Sequence, residues 1–383
     1  MKTINDLIKE LKITNITHAK LRDVCIFERG KSLEHKDLQG GNVPVISSSY
    51  KPMAHTTKFN RSECCITIST TGDGSAGKNI LFHKNPIWVY TTCLSLKPND
   101  KNVIDCKYLY YFLISSKSLI LTTCITKGAK RMLSLNDLYN LDIYFPSLPY
   151  QQQIVKILDD FTELEAELEA ELEARKKQYD YWLHALLDPK TGGMLNDKNI
   201  TFAKLKDLCV VLTGGEPPVD SIKSKFPAGE YIYPILSNGV EDKAIWGYAR
   251  TYRINRPAIT FSSIGTIGKP VLRNANFTPV IRLKVIYPND ESKLNISYLK
   301  YFLDTIDLNT NSSTIANINS DTLKNIRIMF PPIEIQNQIV LILDQFNNLT
   351  TNLQDGIPAE IKLRKEQYQY YLKQLLDFNI QTK

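Results

Sequence analysis

Two kinds of hydrophobic pattern alternate along this chain. Short β-branched or aromatic runs bounded by Gly, Pro or Asn, such as Cys65-Ile-Thr-Ile-Ser69, Trp88-Val-Tyr90 and Ile281-Arg-Leu-Lys-Val-Ile286, predict strands. Denser aromatic and leucine stretches, Tyr108 to Ile114 and Tyr298 to Leu303, predict buried helices, and Leu135 to Leu141 predicts a shorter one. After Pro149 the period changes. Ile154, Ile157, Phe161, Leu164, Leu168, Tyr179, Trp182 and Leu186 follow the three-four alternation of a coiled-coil seam. Ile339, Ile342, Phe346, Leu349 and Leu353 repeat it, and it resumes through Ile361, Tyr368 and Leu372. Each such helix is roughly 40 residues, on the order of 60 Å long at 1.5 Å per residue. A helix of that length with one apolar stripe needs a partner, and the nearest is its own duplicate. Tyr179 and Tyr368 are expected to pack the shared seam beside Trp182, while Gly356 and Pro358 predict a kink or short break in the second helix.

The duplication extends beyond the helices. Asn15-Ile-Thr-His-Ala-Lys-Leu-Arg-Asp23 recurs as Asn199-Ile-Thr-Phe-Ala-Lys-Leu-Lys-Asp207, each copy soon followed by a cysteine (Cys25, Cys209) and a glycine (Gly30, Gly214). Tyr108-Leu-Tyr-Tyr-Phe-Leu113 returns as Tyr298-Leu-Lys-Tyr-Phe-Leu303, Gln153-Ile-Val-Lys-Ile-Leu-Asp159 as Gln338-Ile-Val-Leu-Ile-Leu-Asp344, and Arg175-Lys-Lys-Gln-Tyr179 as Arg364-Lys-Glu-Gln-Tyr368. The order is preserved throughout, which identifies a unit used twice. The expected organisation is α+β: a globular α/β domain over 1–147, a long helix over 148–188, a linker over 189–200, a second globular domain over 201–331, a second long helix over 332–378 and a tail over 379–383. The two copies keep a common hydrophobic skeleton while the polar residues differ, as in Ser47-Ser-Ser-Tyr50 against Ser237-Asn-Gly-Val240. One scaffold presenting two reading surfaces has that signature.

At 383 residues and 43% hydrophobic, the chain is long enough for two cores. A net charge of +7 suits a polyanion partner without requiring one. The seven cysteines form no C-x-x-C pair and have no histidine cluster at zinc spacing, so they read as reduced core residues of a cytoplasmic protein. Charged residues interrupt the first twelve positions, which excludes a signal-peptide core, and no later run is long enough to span a membrane.

Catalytic motifs fail on inspection. Gly72-Asp-Gly-Ser-Ala-Gly77-Lys78 is followed by Asn79 where a phosphate-cradling loop needs Ser or Thr for magnesium, and the second copy offers only Gly265-Thr-Ile-Gly268-Lys269-Pro270. What the copies share is a Gly-rich turn ending in Gly-Lys. It suits either close backbone approach to a phosphate or a tight turn between strands. The histidines form no i,i+4 pair, and no nucleophile elbow or aminomethyltransferase motif is present. No metal site and no cofactor are expected on this chain. Candidate polyanion contacts are instead basic, aromatic and small polar residues in loops: Arg29, Lys31, Ser48, Tyr50, Lys51, Gly77 and Lys78, with Lys127, Lys130 and Arg131, in the first copy. The second copy offers Asn238, Tyr248, Arg250, Arg253, Gly268 and Lys269. The Glu-Leu-Glu-Ala repeat from Glu163 to Glu173 reads as a solvated helix face, and a docking face is the alternative.

The whole pattern resembles the specificity subunit of type I restriction-modification systems. The resemblance covers about Asn15 to Phe378 and is most specific at Phe145-Pro-Ser-Leu-Pro-Tyr-Gln-Gln-Gln-Ile-Val155 and its echo Phe330-Pro-Pro-Ile-Glu-Ile-Gln-Asn-Gln-Ile-Val340. It implies that each globular domain is a target recognition domain reading one half of a bipartite site in double-stranded DNA. It further implies that the helices form an antiparallel coiled coil with pseudo-twofold symmetry. Two modification subunits would dock there, carrying S-adenosylmethionine, and restriction subunits would bring ATP and magnesium chemistry. The rivals are a fused DNA-modifying enzyme, against which the missing motifs argue, and a coiled-coil protein whose globular parts bind protein.

Overall fold

The computed structural model describes residues 3–38, 40–72, 75–126, 131–187, 200–239, 241–262, 270–306, 320–352 and 355–378. The chain forms two compact units whose boundaries do not follow the linear order: Met1–Glu169 joins Glu360–Lys383 in the first, and Ala170–Ala359 forms the second.

In the first unit, Cys25–Arg29, Cys93–Pro98, Cys65–Ser69 and Ile80–His83 form a four-stranded antiparallel sheet in that spatial order. A second sheet places Val43–Ile46 between antiparallel Ala54–Thr56 and parallel Trp88–Val89. A two-stranded ladder of Thr17–Lys20 with Asp142–Phe145 joins the start of the globular part to its end. The strand Cys65–Ser69 is buried at every position, which suits its continuous apolar and small composition. The helix Cys106–Ser115 packs Tyr108, Leu109, Tyr111, Phe112 and Leu113 into the main core, joined there by Leu7, Ile8 and Leu11 of the amino-terminal helix Ile4–Leu11.

The second unit repeats this plan. Cys209–Thr213, Lys284–Pro288, Ala258–Phe261 and Pro270–Arg273 take the same order as the four-stranded sheet of the first unit. Thr201–Lys204 pairs with Arg327–Phe330 in the register that Thr17–Lys20 uses with Asp142–Phe145. The second sheet gains a short extra strand, Ser221–Ile222, beside Ile245–Ala249. The expected strand over 281–286 begins only at Lys284, because Ile281 and Arg282 adopt positive φ, at 50° and 61°.

Each long helix is tied to its globular part by a buried glutamine. Gln151 donates from Nε2 to the carbonyls of Val103 (2.9 Å) and Pro146 (2.8 Å) and accepts from the Asp105 amide (2.8 Å). Gln336 does the same with Lys293 (2.8 Å), Pro331 (2.8 Å) and the Asn295 amide (2.9 Å). Asp105 and Asn295 in turn cap the aromatic helices Cys106–Ser115 and Ile296–Asp304. About two turns further along each long helix, Asp159 and Asp344 accept the hydroxyl protons of Tyr111 and Tyr301.

The helix Leu148–Leu187 runs unbroken for 40 residues, with Gln151, Ile154 and Leu158 buried near its start. Its far end belongs to the other unit, where Leu183, Leu186 and Leu187 enter the second core. The carboxyl-terminal helix Ile357–Leu376 mirrors this by placing Leu372, Leu375 and Leu376 in the first core. Within the first unit its course is antiparallel to the early part of Leu148–Leu187: Tyr371 stacks on Phe161 with ring centroids 5.4 Å apart, and Lys365 pairs with Glu165 (3.3 Å) and Glu169 (2.9 Å). The glutamate repeat is therefore partly engaged, although exposed pairs of this kind contribute at most about 1 kcal/mol.

Several seam assignments need correction. Tyr179 and Tyr368 do not share one seam; Tyr179 packs against the second core and Tyr368 against the first. Trp182 is 42% exposed, because the buried stripe near this end runs through Leu183, Leu186 and Leu187. Leu349 is 37% exposed where Thr350 is buried. Ile339 is buried and Ile154 likewise, while Ile157, Phe161, Leu164, Leu168, Ile342 and Phe346 are half-buried. The break expected near Gly356 lies between helix Ile333–Thr351 and helix Ile357–Leu376. It has a counting origin: Gln153 and Arg175 are 22 positions apart, whereas their counterparts Gln338 and Arg364 are 26 apart. A four-residue insertion changes the phase of a heptad stripe, and the break absorbs it.

Replacing Gln336 with Leu removes the buried partner of the Asn295 amide and of two carbonyls. This is expected to cost about 2–4 kcal/mol, read from chemical denaturation of the full chain. A loss under about 0.5 kcal/mol would show that the clamp is dispensable.

Candidate nucleic-acid interface

Strand register decides which loops meet. In the first unit Arg29 faces Leu94, Ser69 faces Cys93, and Ile68 faces both Leu94 and Ile80. Ile46 lies beside Val89 in the parallel pair. The segments just beyond these residues therefore gather at one end of the two sheets: 29–31, 47–51, 70–72, 77–79 and 90–92. The Asn79 amide group donates to the Ser48 carbonyl, the Tyr90 amide donates to the Ile46 carbonyl (2.9 Å), and Thr70 N donates to Thr92 O (2.9 Å).

That end carries most of the first-copy candidates. Tyr50 is 62% exposed, its hydroxyl 3.4 Å from both the Lys78 carbonyl and the Lys117 ammonium. Arg131 and Lys78 line a cavity of about 180 Å³ with Gly72, Ala76, Leu121 and Ile125. Arg29, Lys31 and Lys51 are exposed and Ser48 is half-buried. Lys127 and Lys130 lie outside the described residues.

Among its described residues the Gly-rich segment closes as a turn. The amides of Ser75 and Ala76 donate to Gly72 O, that of Gly77 to Ser69 O and that of Lys78 to Ser75 O, so none of these remains to wrap a phosphate. Gly77 is buried with φ +70°, and an added Cβ would stand 2.8 Å from Ile125. Gly77 accordingly leaves the list of contacts, and the exposed ammonium of Lys78 stays on it. A comparable backbone approach explains Gly30 and Gly214: a Cβ at Gly30 would lie 1.9 Å from the Tyr90 carbonyl oxygen, and one at Gly214 2.7 Å from the Val280 nitrogen.

In the second unit the equivalent end gathers Thr213 and Gly214, Asn238, Ser262, and Arg282 to Lys284, since Thr213 faces Lys284 and Phe261 faces both Lys284 and Pro270. Asn238 donates to the Ile281 carbonyl at 2.8 Å, and the Ile281 and Arg282 amides donate to Gly215 and Gly214. These bonds hold two side-chain-bearing residues in the left-handed region, at a cost of order 1–3 kcal/mol each. Arg253 reaches back to this loop, donating to the Glu216 carbonyl at 3.4 Å. Gly268 and Lys269 lie outside the described residues.

Tyr248 and Arg250 do not join the cluster. The ladder pairing Leu236 with Ile245 and Tyr233 with Ala249 sends them to the opposite end of their sheet from Asn238. Tyr248 is buried, and Arg250 stacks over Tyr231 (4.8 Å) between Asp220 (3.7 Å) and Glu230 (3.3 Å). Sequence reading missed Arg282 and Lys284, which stood inside an apparent strand, and also Lys117 and Arg61. The Arg61 side chain bridges Ser95 Oγ (2.6 Å) and Glu28 (3.1 Å) under the strand end at Arg29.

Burial pushes the Cys25, Cys93 and Cys209 thiols up to about 12, which leaves them unreactive as nucleophiles. Among the described residues no cluster of His, Cys, Asp or Glu is arranged to hold a metal ion, and no helix is long and apolar enough to cross a membrane.

Residues 15–174 and 197–363 match the family described as the type I restriction modification DNA specificity domain. The chain is 30% identical over 364 residues to a putative type I specificity subunit of Mycoplasma pneumoniae, covering 94% of this chain and 97% of that one. A second such subunit of that organism is 33% identical over 318 residues, covering 79% and 91%. The specificity subunit of the Escherichia coli type I restriction enzymes EcoR124I and EcoR124II is 28% identical, covering 73% and 72%. Among solved structures, the type I restriction-modification S subunit from M. genitalium superposes with a TM-score of 0.63 at 18% identity, covering 95% and 96%. The HsdS subunit from Thermoanaerobacter tengcongensis gives 0.51 over 95% and 97%, also at 18%.

Gly30→Ala drives a methyl group into backbone at the centre of this loop cluster and is expected to lower stability by about 2–4 kcal/mol in chemical denaturation. A neutral result would mean that the approach of Gly30 to Tyr90 is not a constraint on the site.

Proposed function

The chain belongs to the type I restriction-modification DNA specificity family, and we propose that each of its units reads one half of a bipartite site in double-stranded DNA. The observation that carries this reading is the convergence of cationic, aromatic and small polar side chains at one sheet end in the first unit, with a chemically different set at the equivalent end of the second. Arg29, Lys31, Lys51, Lys78, Lys117 and Arg131 supply phosphate neutralisation or contacts to guanine edges. Tyr50, Ser48 and Asn238 supply polar and stacking contacts at the same ends. A duplicated framework with divergent tips suits a protein that reads two unlike half-sites at a separation set by its own geometry.

In this reading the chain is a recognition subunit without catalysis of its own. Two modification subunits dock on the helical region and bring S-adenosylmethionine for adenine methylation. Restriction subunits bring ATP and magnesium chemistry to the assembly. The chain's own part is to bind, to select and to hold.

Counterion release makes the DNA contact measurable. Affinity of the full chain for a duplex is expected to fall steeply between about 50 and 200 mM salt. Lys78→Ala is expected to weaken binding and to flatten the slope of log K against log salt by about 0.9, one phosphate contact. Salt-insensitive binding would remove DNA as the ligand, and an unchanged slope would remove Lys78 from the surface.

A further inference from the structure

Lys284 is a buried cation without an anion. Its side chain sits in a residue only 9% exposed, and its ammonium donates to Thr213 Oγ1 and Ser320 Oγ, each at 3.0 Å. Those two hydroxyls are themselves 3.0 Å apart, so the three groups close a triangle. Among the described residues no carboxylate pairs with Lys284, whose charged neighbour is Arg282. The triangle uses two of the ammonium's three N–H bonds and one of the two hydroxyl protons, which leaves one N–H and one O–H for solvent or a ligand. Thr213 opens the triangle to solvent. A largely enclosed cation with no counter-charge of its own and an opening to solvent is a ready partner for an anion that reaches it.

The other unit indicates what completes it. Thr213 and Lys284 are directly opposite across the strand pair, and Arg29 and Leu94 hold the same register in the first unit. Directly opposed residues of an antiparallel pair project from the same face. Each unit thus keeps one long cation on that face at that level, carried by one strand in the first unit and by its neighbour in the second. A long cation at that level in both copies gives each sheet end a positive charge on the same face.

We propose that Lys284, Thr213 and Ser320 form a binding site for a phosphodiester oxygen of the DNA backbone, the second unit's counterpart of the Arg29 contact. This inference rests on the DNA-reading function above and adds a specific contact to it. The strained Ile281–Arg282 turn ends one residue before Lys284 and brings a second cation to the same strand end. Burial and Arg282 both hold the lysine pKa below its ordinary value, the direction expected where positive charge is concentrated ahead of an anion.

The test uses the full chain and a mixed-sequence duplex, with binding followed by fluorescence anisotropy across a salt series. Lys284→Met keeps the volume and removes the charge. It is expected to flatten the salt slope by about 0.9 and to weaken binding about fivefold near 0.15 M salt, with thermal stability unchanged or raised. Ser320→Ala, which keeps the charge, is expected to weaken binding while leaving the slope intact. A Lys284→Met chain with wild-type slope overturns the proposal, and so does a phosphate-dependent rise in Tm that Lys284→Met abolishes without any change in DNA binding, which would assign the site to free phosphate. Failure of the wild-type chain itself to bind DNA would overturn the DNA reading on which the site depends.

Discussion

Two buried amides hold this molecule together in the places that matter for its function. Gln151 and Gln336 each satisfy a carbonyl where the last strand of a globular part ends, a carbonyl ahead of the aromatic helix, and the amide of that helix's capping residue. A primary amide can donate twice and accept from the same position, and no other side chain of that size offers this combination. Both glutamine side chains are fully buried, so losing one leaves partners without their bond, each costing up to about 1–3 kcal/mol where water does not reach it. The clamp therefore fixes where each long helix leaves its globular part. The tyrosine–carboxylate bonds at Asp159 and Asp344 repeat the attachment two helical turns later.

From that constraint the composition of the units follows. Each core needs more than its own globular part and the start of its own helix: Leu372, Leu375 and Leu376 finish the first, while Leu183, Leu186 and Leu187 finish the second. The duplication is thus closed by exchange, each copy's helix ending in the other copy's core. The copies differ in one mechanical respect. Four additional residues between Gln338 and Arg364 meet a break at Gly356, whereas the first helix runs through without one. Helical phase at both ends is preserved by interrupting the helix where the surplus falls.

The framework was legible in the sequence because it is periodic and repeated. Apolar spacing located the long helices, and the paired motifs aligned the copies. Side-chain detail along the helices was less legible: heptad counting put Trp182 and Leu349 in a seam, where burial chooses Leu183 and Thr350. The reading surface was legible only in part. Arg29 at a strand end and Tyr50, Lys78 and Arg131 in loops were visible as basic and aromatic tips, but only strand register shows that they share one sheet end. Lys284 was hidden inside a run that alternates like a strand. Arg250 looked like a loop cation, and the carboxylates of Asp220 and Glu230 that occupy it are separated from it in sequence. Gly77 satisfied part of a phosphate-loop pattern, yet the amides of Ser75 to Lys78 are consumed within the turn.

The central claim is that the two sheet ends read separate halves of one DNA site. It is tested most directly by co-expressing the full chain with an active adenine-methylating subunit and mapping methylated adenines, for the wild type and for a chain altered at Asn238 and Arg282. The account predicts an interrupted two-part motif in which only one part changes between the two maps. A continuous motif, or a change in both parts together, would contradict it.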